Sequence, residues 1–395
     1  MELNLSLVFI IILGGGWLFG RLFERLKLPG VMGMVVFGIL CSLLIKTQTT
    51  PTLWDIAPYL KSFALIIILL RAGLGIKKAT LKKYGLTAIL LSFVPCIFEG
   101  LSLSVLFHYL FGFSWSISGL TAFMLAAVSP AVVVPSMLNL IEKENSEVPT
   151  IILAGASIDD VFAITIFTIF LQFSQHGSVN ILESLISVPL SIFWGILSGL
   201  FFGYFLSIFL KRNGVNIRAT EKTLILLVFG VLLFQIGEIY HFASLLGVMT
   251  IGFILLARNE KIAQELASKF AKLWIFAEII LFVLIGFSLN ISDAVNAGFK
   301  GLFIISIGLI FRSIGVYIAT IPSQLTAKER LFCMIAYLPK ATVQAALGGV
   351  ALAYGLPGGE IILALAVIAI LFTAPIGLIG INYFGSRLLG SSSKK

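Results

Sequence analysis

Apolar residues fall in long unbroken runs along this chain, and the polar positions cluster in short stretches between them. Thirteen runs are legible, centred near Ile11, Val36, Ile67, Val94, Ala126, Ala163, Gly195, Val228, Ile251, Leu281, Leu309, Val343 and Ile368. A helix needs about 20 apolar residues to cross a hydrocarbon core about 30 Å thick. Inside lipid every backbone polar group must be satisfied within the protein, which favours helices for runs of this length. The pattern predicts an all-α polytopic membrane protein with about 13 transmembrane helices. Composition agrees, with 59% apolar and 11% charged residues and a mean hydropathy of +1.09. A soluble enzyme does not have this balance.

The net charge of +9 would suit a nucleic-acid partner, but its distribution argues for topology instead. If alternate connections are assigned to opposite sides, one side receives only Lys46, Lys61 and Lys300 of the 27 Lys and Arg. Arg71, Arg312 and Lys340 fall inside apolar runs, and all the rest lie on the other side. By the positive-inside rule that basic side is cytoplasmic, with the N-terminus outside and the C-terminus inside. Glu2 stands where a signal peptide carries basic residues, so the first run is expected to be retained. Cys41, Cys96 and Cys333 lie singly in apolar runs without metal-ligand spacing. They predict neither a disulfide framework nor a structural metal.

Two runs are interrupted by proline. The fifth reads MLAAVSPAVVVPSMLNL, with Pro130 and Pro135, and the twelfth reads CMIAYLPKATVQAALGGVALAYG, with Pro339. Each proline frees the carbonyl four residues back, here those of Ala126, Ala131 and Ile335. The two runs are seven segments apart, so they cross the membrane in opposite directions. Interrupted helices at matching places in inverted halves point to a transporter's binding site. The expected organisation is one transporter unit over 1–395, with a first inverted repeat over about 1–175, a linker helix over about 181–211 and a second repeat over about 219–390. Glycines four apart (Gly195, Gly199, Gly203) mark a close helix–helix face, within the chain or between copies.

The chemistry lies in charges buried within the runs. Asp159 and Asp160 are adjacent in the apolar run Pro149 to Phe173, at a depth of roughly 14 Å given 1.5 Å of rise per residue. A carboxylate near the midplane costs about 2.5–3.5 kcal/mol, and by default it marks an ion or proton site. Glu99, Glu278, Arg71, Arg312 and Lys340 are also intramembrane. Four carboxylates against three fixed cations leave one negative charge for a mobile cation or a proton, but not for both at once. On a helix the two aspartates point about 100° apart. One is expected to line the cavity and the other to meet a fixed cation, with Arg312 the best candidate. Ser129 and the carbonyls of Ala126 and Ala131 are candidate neutral oxygen ligands for a hard cation. No cofactor is expected beyond the transported Na+ or Li+ and H+.

Four stretches, IILLRAGLGI (67–76), AAVSPAVVVPSML (126–138), GASIDDVFAI (155–164) and LPKATVQAALG (338–348), resemble the cation/proton antiporter superfamily. The resemblance is to its double-aspartate branch, which includes animal sodium/hydrogen antiporter-like proteins and bacterial sodium/proton antiporters. It implies a thirteen-helix homodimer with a dimerisation domain and a mobile core of crossed, partly unwound helices. It also implies elevator-like exchange of Na+ or Li+ for H+, serving pH homeostasis in a prokaryotic plasma (inner) membrane. Asp160 would be the principal ion-binding and proton-carrying carboxylate and Asp159 its neighbour. Arg312 stands where known bacterial members have lysine.

Other functions place different demands on the residues. A membrane-embedded aspartyl protease needs its two aspartates on different helices sharing a proton, which adjacent residues on one helix do not provide. A K+/H+ exchanger or K+ efflux channel is the alternative that the residues leave open, followed by a sodium-coupled symporter of an organic solute. In every one of these alternatives except the protease the chain is a transporter, and its partners are the bilayer, monovalent cations and protons.

Overall fold

The computed structural model describes residues 4–45, 49, 51–75, 78–129, 132–133, 136–137, 140, 146–176, 181–213, 217–240 and 242–389. Pro130, Ala131 and Pro135 lie outside the described residues. The described chain is built of helices: α1 (Leu5–Arg25), α2 (Gly30–Ile45), α3 (Pro51–Gly75), α4 (Lys78–Phe111), α5 (Trp115–Leu125), α6 (Val148–His176), α7 (Ile181–Asn213) and α8 (Ala219–Tyr240). They are followed by α9 (Ser244–Arg258), α10 (Glu260–Ser288), α11 (Ile291–Thr320), α12 (Ala327–Ala336), α13 (Thr342–Leu347), α14 (Val350–Ala353) and α15 (Gly359–Leu389). Among the described residues, eight helices are long and apolar enough to cross a membrane.

Local chemistry sets several boundaries. At the start of α1 the Asn4 side chain accepts from Ser6 N–H. α12 opens with a reciprocal cap, in which Thr326 Oγ1 accepts from Glu329 N–H and the Glu329 carboxylate accepts from Thr326 N–H. This arrangement satisfies donors that a helix start leaves open.

The chain divides into two compact units: Met1–Pro58 with Tyr84–Gln175 and Ile279–Lys395, and Tyr59–Lys83 with His176–Glu278. The expected inverted repeats are a different division, one of sequence symmetry rather than compactness. In the first unit α4 and α11 cross where Pro95 meets Gly315, and again where Leu103 meets Gly308. Numbers rise along one helix as they fall along the other, so the pair is antiparallel. Between the two contacts stand Glu99 and Arg312, which form an ion pair.

In the second unit α7 packs on α9 through the glycines spaced four apart. A side chain at Gly195 or Gly199 would collide with Ala243 or Gly247, and one at Gly203 would crowd the Ile251–Ile254 turn. Those glycines therefore serve packing within the chain. Gly73 and Gly252 make a similar close approach between α3 and α9. Lys222 of α8 pairs with Glu265 of α10 at 2.9 Å.

Candidate functional site

Two helices of the first unit stop in mid-run. α5 ends at Leu125 with Ala126 as its cap, four residues before Pro130. α12 ends at Ala336 with Tyr337 as its cap, just before Pro339, and helix resumes as α13 at Thr342. The two breaks meet where Ser129 N–H donates to Pro339 O at 2.8 Å and Thr342 N–H donates to Ser129 Oγ at 3.4 Å.

A helix end presents unpaired carbonyls and a partial negative charge, which favour donors and cations there. At α5 the carbonyls of Met124, Leu125, Ala126 and Ala127 are taken. Gln344 Nε2 donates to Met124 O at 2.9 Å and to Ala127 O at 3.3 Å. Lys340 Nζ donates to Leu125 O at 2.6 Å, and Arg312 Nη1 donates to Ala126 O. Arg312 Nε also donates to Tyr337 O at 2.6 Å, so one guanidinium caps the carbonyl ends of both half-helices. Its plane lies over the Tyr337 ring, 5.4 Å from the centroid. Gly155 of α6 admits the Tyr337 phenol, because any side chain there would collide with Tyr337 Oη.

The same guanidinium joins two carboxylates. Nη1 donates to Glu99 Oε2 and Nη2 to Asp159 Oδ2, each at 2.9 Å. Asp159 Oδ2 also accepts from Val128 N–H at 2.8 Å. Glu99 Oε1 completes a second ion pair with Lys340 Nζ at 2.7 Å. Arg312, Lys340, Glu99 and Asp159 are fully buried and Asp160 is 4% exposed. Among the described residues no cation pairs with Asp160, whose Oδ1 has no hydrogen-bond partner. The side chain it faces is Thr342, whose own Oγ1 is also unpartnered, as is Asp159 Oδ1. Three carboxylates and two cations leave this cluster one negative charge in excess, and the three ion pairs among Arg312, Lys340, Glu99 and Asp159 leave that excess on Asp160.

The other expected site residues fall in the second unit, have partners of their own or lie outside the described residues. Arg71 and Glu278 belong to the second unit, within electrostatic range of each other, whereas the residues of the cluster belong to the first. The Ala126 carbonyl accepts from Arg312, because a buried guanidinium needs acceptors as much as a freed carbonyl needs a donor. The Ile335 carbonyl is closed by a tighter turn, with Leu338 N–H donating to it at 3.2 Å. Ser129 Oγ accepts a backbone N–H across the crossing. Ala131, Pro130 and Pro135 fall outside the described residues.

Comparison with known proteins settles the family. The family model "Sodium/hydrogen exchanger, transmembrane" matches residues 8–382. The chain belongs to that sodium/hydrogen exchanger family. It is 33% identical to sodium/hydrogen exchanger 9B2 of Mus musculus, over 99% of this chain and 74% of the relative. It is 31% identical to sodium/hydrogen exchanger 9B1 of Homo sapiens, over 92% of this chain and 73% of the relative. The fold is that of the sodium proton antiporter MjNhaP1 from Methanocaldococcus jannaschii at pH 8, with a TM-score of 0.82, 98% of each chain covered and 20% identity. This exchanger-family chain is thus a multi-pass membrane transporter of cations and protons.

Within this exchanger-family chain, sequence reading did not single out Tyr337, Thr342, Gln344 or Thr373. The signal was present for three of them. Thr342, Gln344 and Thr373 are polar residues inside apolar runs, and a buried polar group is almost always bonded to something specific.

Proposed function

We propose that the chain exchanges Na+ or Li+ for H+ by alternating access, with Asp160 as the shared binding group. The observation that carries this reading is the buried Asp160 carboxylate, which has no fixed cation among the described residues, beside a cluster whose other charges are matched. A proton neutralises it, and so does a monovalent cation. Asp160, the second oxygen of Asp159 and Thr342 Oγ1 offer the oxygen ligands that a hard cation prefers. At the carbonyl end of α5, Arg312, Lys340 and Gln344 already donate to the oxygens.

Stoichiometry follows from the same arrangement. A guanidinium keeps its proton at any working pH, and Lys340 is engaged by Glu99 and Leu125 O. Only one carboxylate changes partner, so one cation exchanges for one proton without net charge movement. The matched breaks and the antiparallel crossing of α4 and α11 through Glu99 and Arg312 support an inverted repeat of the fourth to sixth and eleventh to thirteenth segments. An elevator-like movement of the core unit, a homodimer and a cytoplasmic C-terminus complete the proposal, the last supported by the basic loops on one side.

Flux in proteoliposomes tests it, with Li+, Na+ and K+ supplied in turn. An outward cation gradient should drive inward proton movement, unchanged when the membrane potential is clamped. Cation flux that needs no opposing protons would indicate a channel, and flux that requires an organic solute would indicate a symporter.

A further inference from the structure

Two fixed cations, Arg312 and Lys340, lie within electrostatic range of Asp160. Either one, if it paired with Asp160, would occupy the position that exchange leaves to a mobile ion. Arg312 is tied down by Glu99, Asp159 and both helix ends. Lys340 is the intruder that chemistry favours, because its ammonium is a compact charge on a flexible four-carbon stem. The charged groups facing it are Glu99 from α4, Asp159 and Asp160 from α6 and Arg312 from α11.

Lys340 is held at both ends. Its Nζ is fixed by Glu99 Oε1 and Leu125 O. Its backbone N–H follows Pro339 in the non-helical stretch between α12 and α13, where no helical carbonyl is in register to accept it. That N–H donates instead to Thr373 Oγ1 at 2.9 Å. The Thr373 hydroxyl in turn donates to Ala369 O at 2.8 Å, which commits its proton and leaves a lone pair for Lys340. Thr373 is fully buried. One turn further along α15, Gly377 leaves room for the Pro339 ring, which any side chain there would strike. α15 therefore grips the Pro339–Lys340 stretch at two points a turn apart.

We propose that Thr373 is a positioning residue that keeps Lys340 on Glu99 and off Asp160, and so keeps the Asp160 site open to mobile cations. The inference rests on the exchange reading above and adds a residue to it. Without the Thr373 acceptor the backbone at Lys340 loosens, and its ammonium competes with the transported cation.

The test is Thr373→Val, which keeps the shape and loses the hydroxyl, with Thr373→Ala as a second variant and Thr373→Ser as the conservative one. At fixed pH the half-saturating Na+ concentration should rise about fivefold, the size of effect one buried hydrogen bond supports. Excess Na+ should restore a maximal rate within about twofold of wild type, and Thr373→Ser should return the half-saturating concentration to the wild-type value. A merely structural role would lower the yield of folded protein or the maximal rate and leave half-saturation unmoved. That result in Thr373→Val or Thr373→Ala, with wild type exchanging normally, overturns the inference alone. Absence of exchange in wild type overturns the functional reading beneath it.

Discussion

Asp160→Asn is expected to abolish cation-driven proton movement while leaving a folded protein. Asparagine keeps the size and one oxygen of the carboxylate but binds no exchangeable proton, and it offers a cation no charge. The excess negative charge of the cluster disappears with it. A buried carboxylate without a partner is costly, whereas a buried amide costs far less. Thermal stability in detergent should therefore hold or rise in the absence of Na+, and the added stabilisation that bound Na+ gives wild type should vanish. Reconstituted vesicles provide the check, with wild type prepared alongside. Exchange at a wild-type rate in the variant would remove Asp160 from the centre of the mechanism.

The second large effect is structural. Arg312→Ala strands Glu99 and Asp159 in part, and it uncaps the carbonyl ends of α5 and α12 together. Removing one partner of a single buried pair costs about 3–5 kcal/mol, and here one side chain serves four acceptors. The loss should reach at least the upper end of that range, read as thermal unfolding in detergent. Adding Asp159→Asn should recover only part of it, because the two helix ends stay uncapped. Arg312→Lys should also fall short of wild type, since one ammonium cannot span acceptors arranged for a planar fork. Full recovery in the double variant would mean that the helix-end contacts carry little energy.

Much of this molecule was legible before its structure. Apolar runs of bilayer length became helices because lipid leaves the backbone no other solution. The double aspartate and Arg312 stood out because a charge in such a run is expensive. Pro339 marked a real interruption, with α12 stopping at Ala336 and α13 resuming at Thr342. What did not show was how the freed groups would be used. The Ala126 carbonyl looked like a cation ligand until its neighbours were known, and the residue that takes it lies 186 positions away. The tally of seven buried charges treated them as one pool. Arg71 and Glu278 belong to one compact unit and the other five to the other, and among those five an excess of one carboxylate persists. Thr373 was legible as a polar residue in an apolar run, but its partner did not show, for a related reason. That partner is the backbone N–H of Lys340, in the non-helical stretch after Pro339, and sequence does not reveal such pairings.

The central claim is that one carboxylate serves cation and proton in turn. The most direct test is the half-saturating Na+ or Li+ concentration for exchange in proteoliposomes, measured as a function of pH. A protonated carboxylate attracts no cation, so protons and cations must compete. With one proton per site, the half-saturating concentration should rise about tenfold for each pH unit below the site's titration midpoint and level off above it. A concentration that stays flat across the acidic range would mean separate proton and cation sites, and would contradict the account.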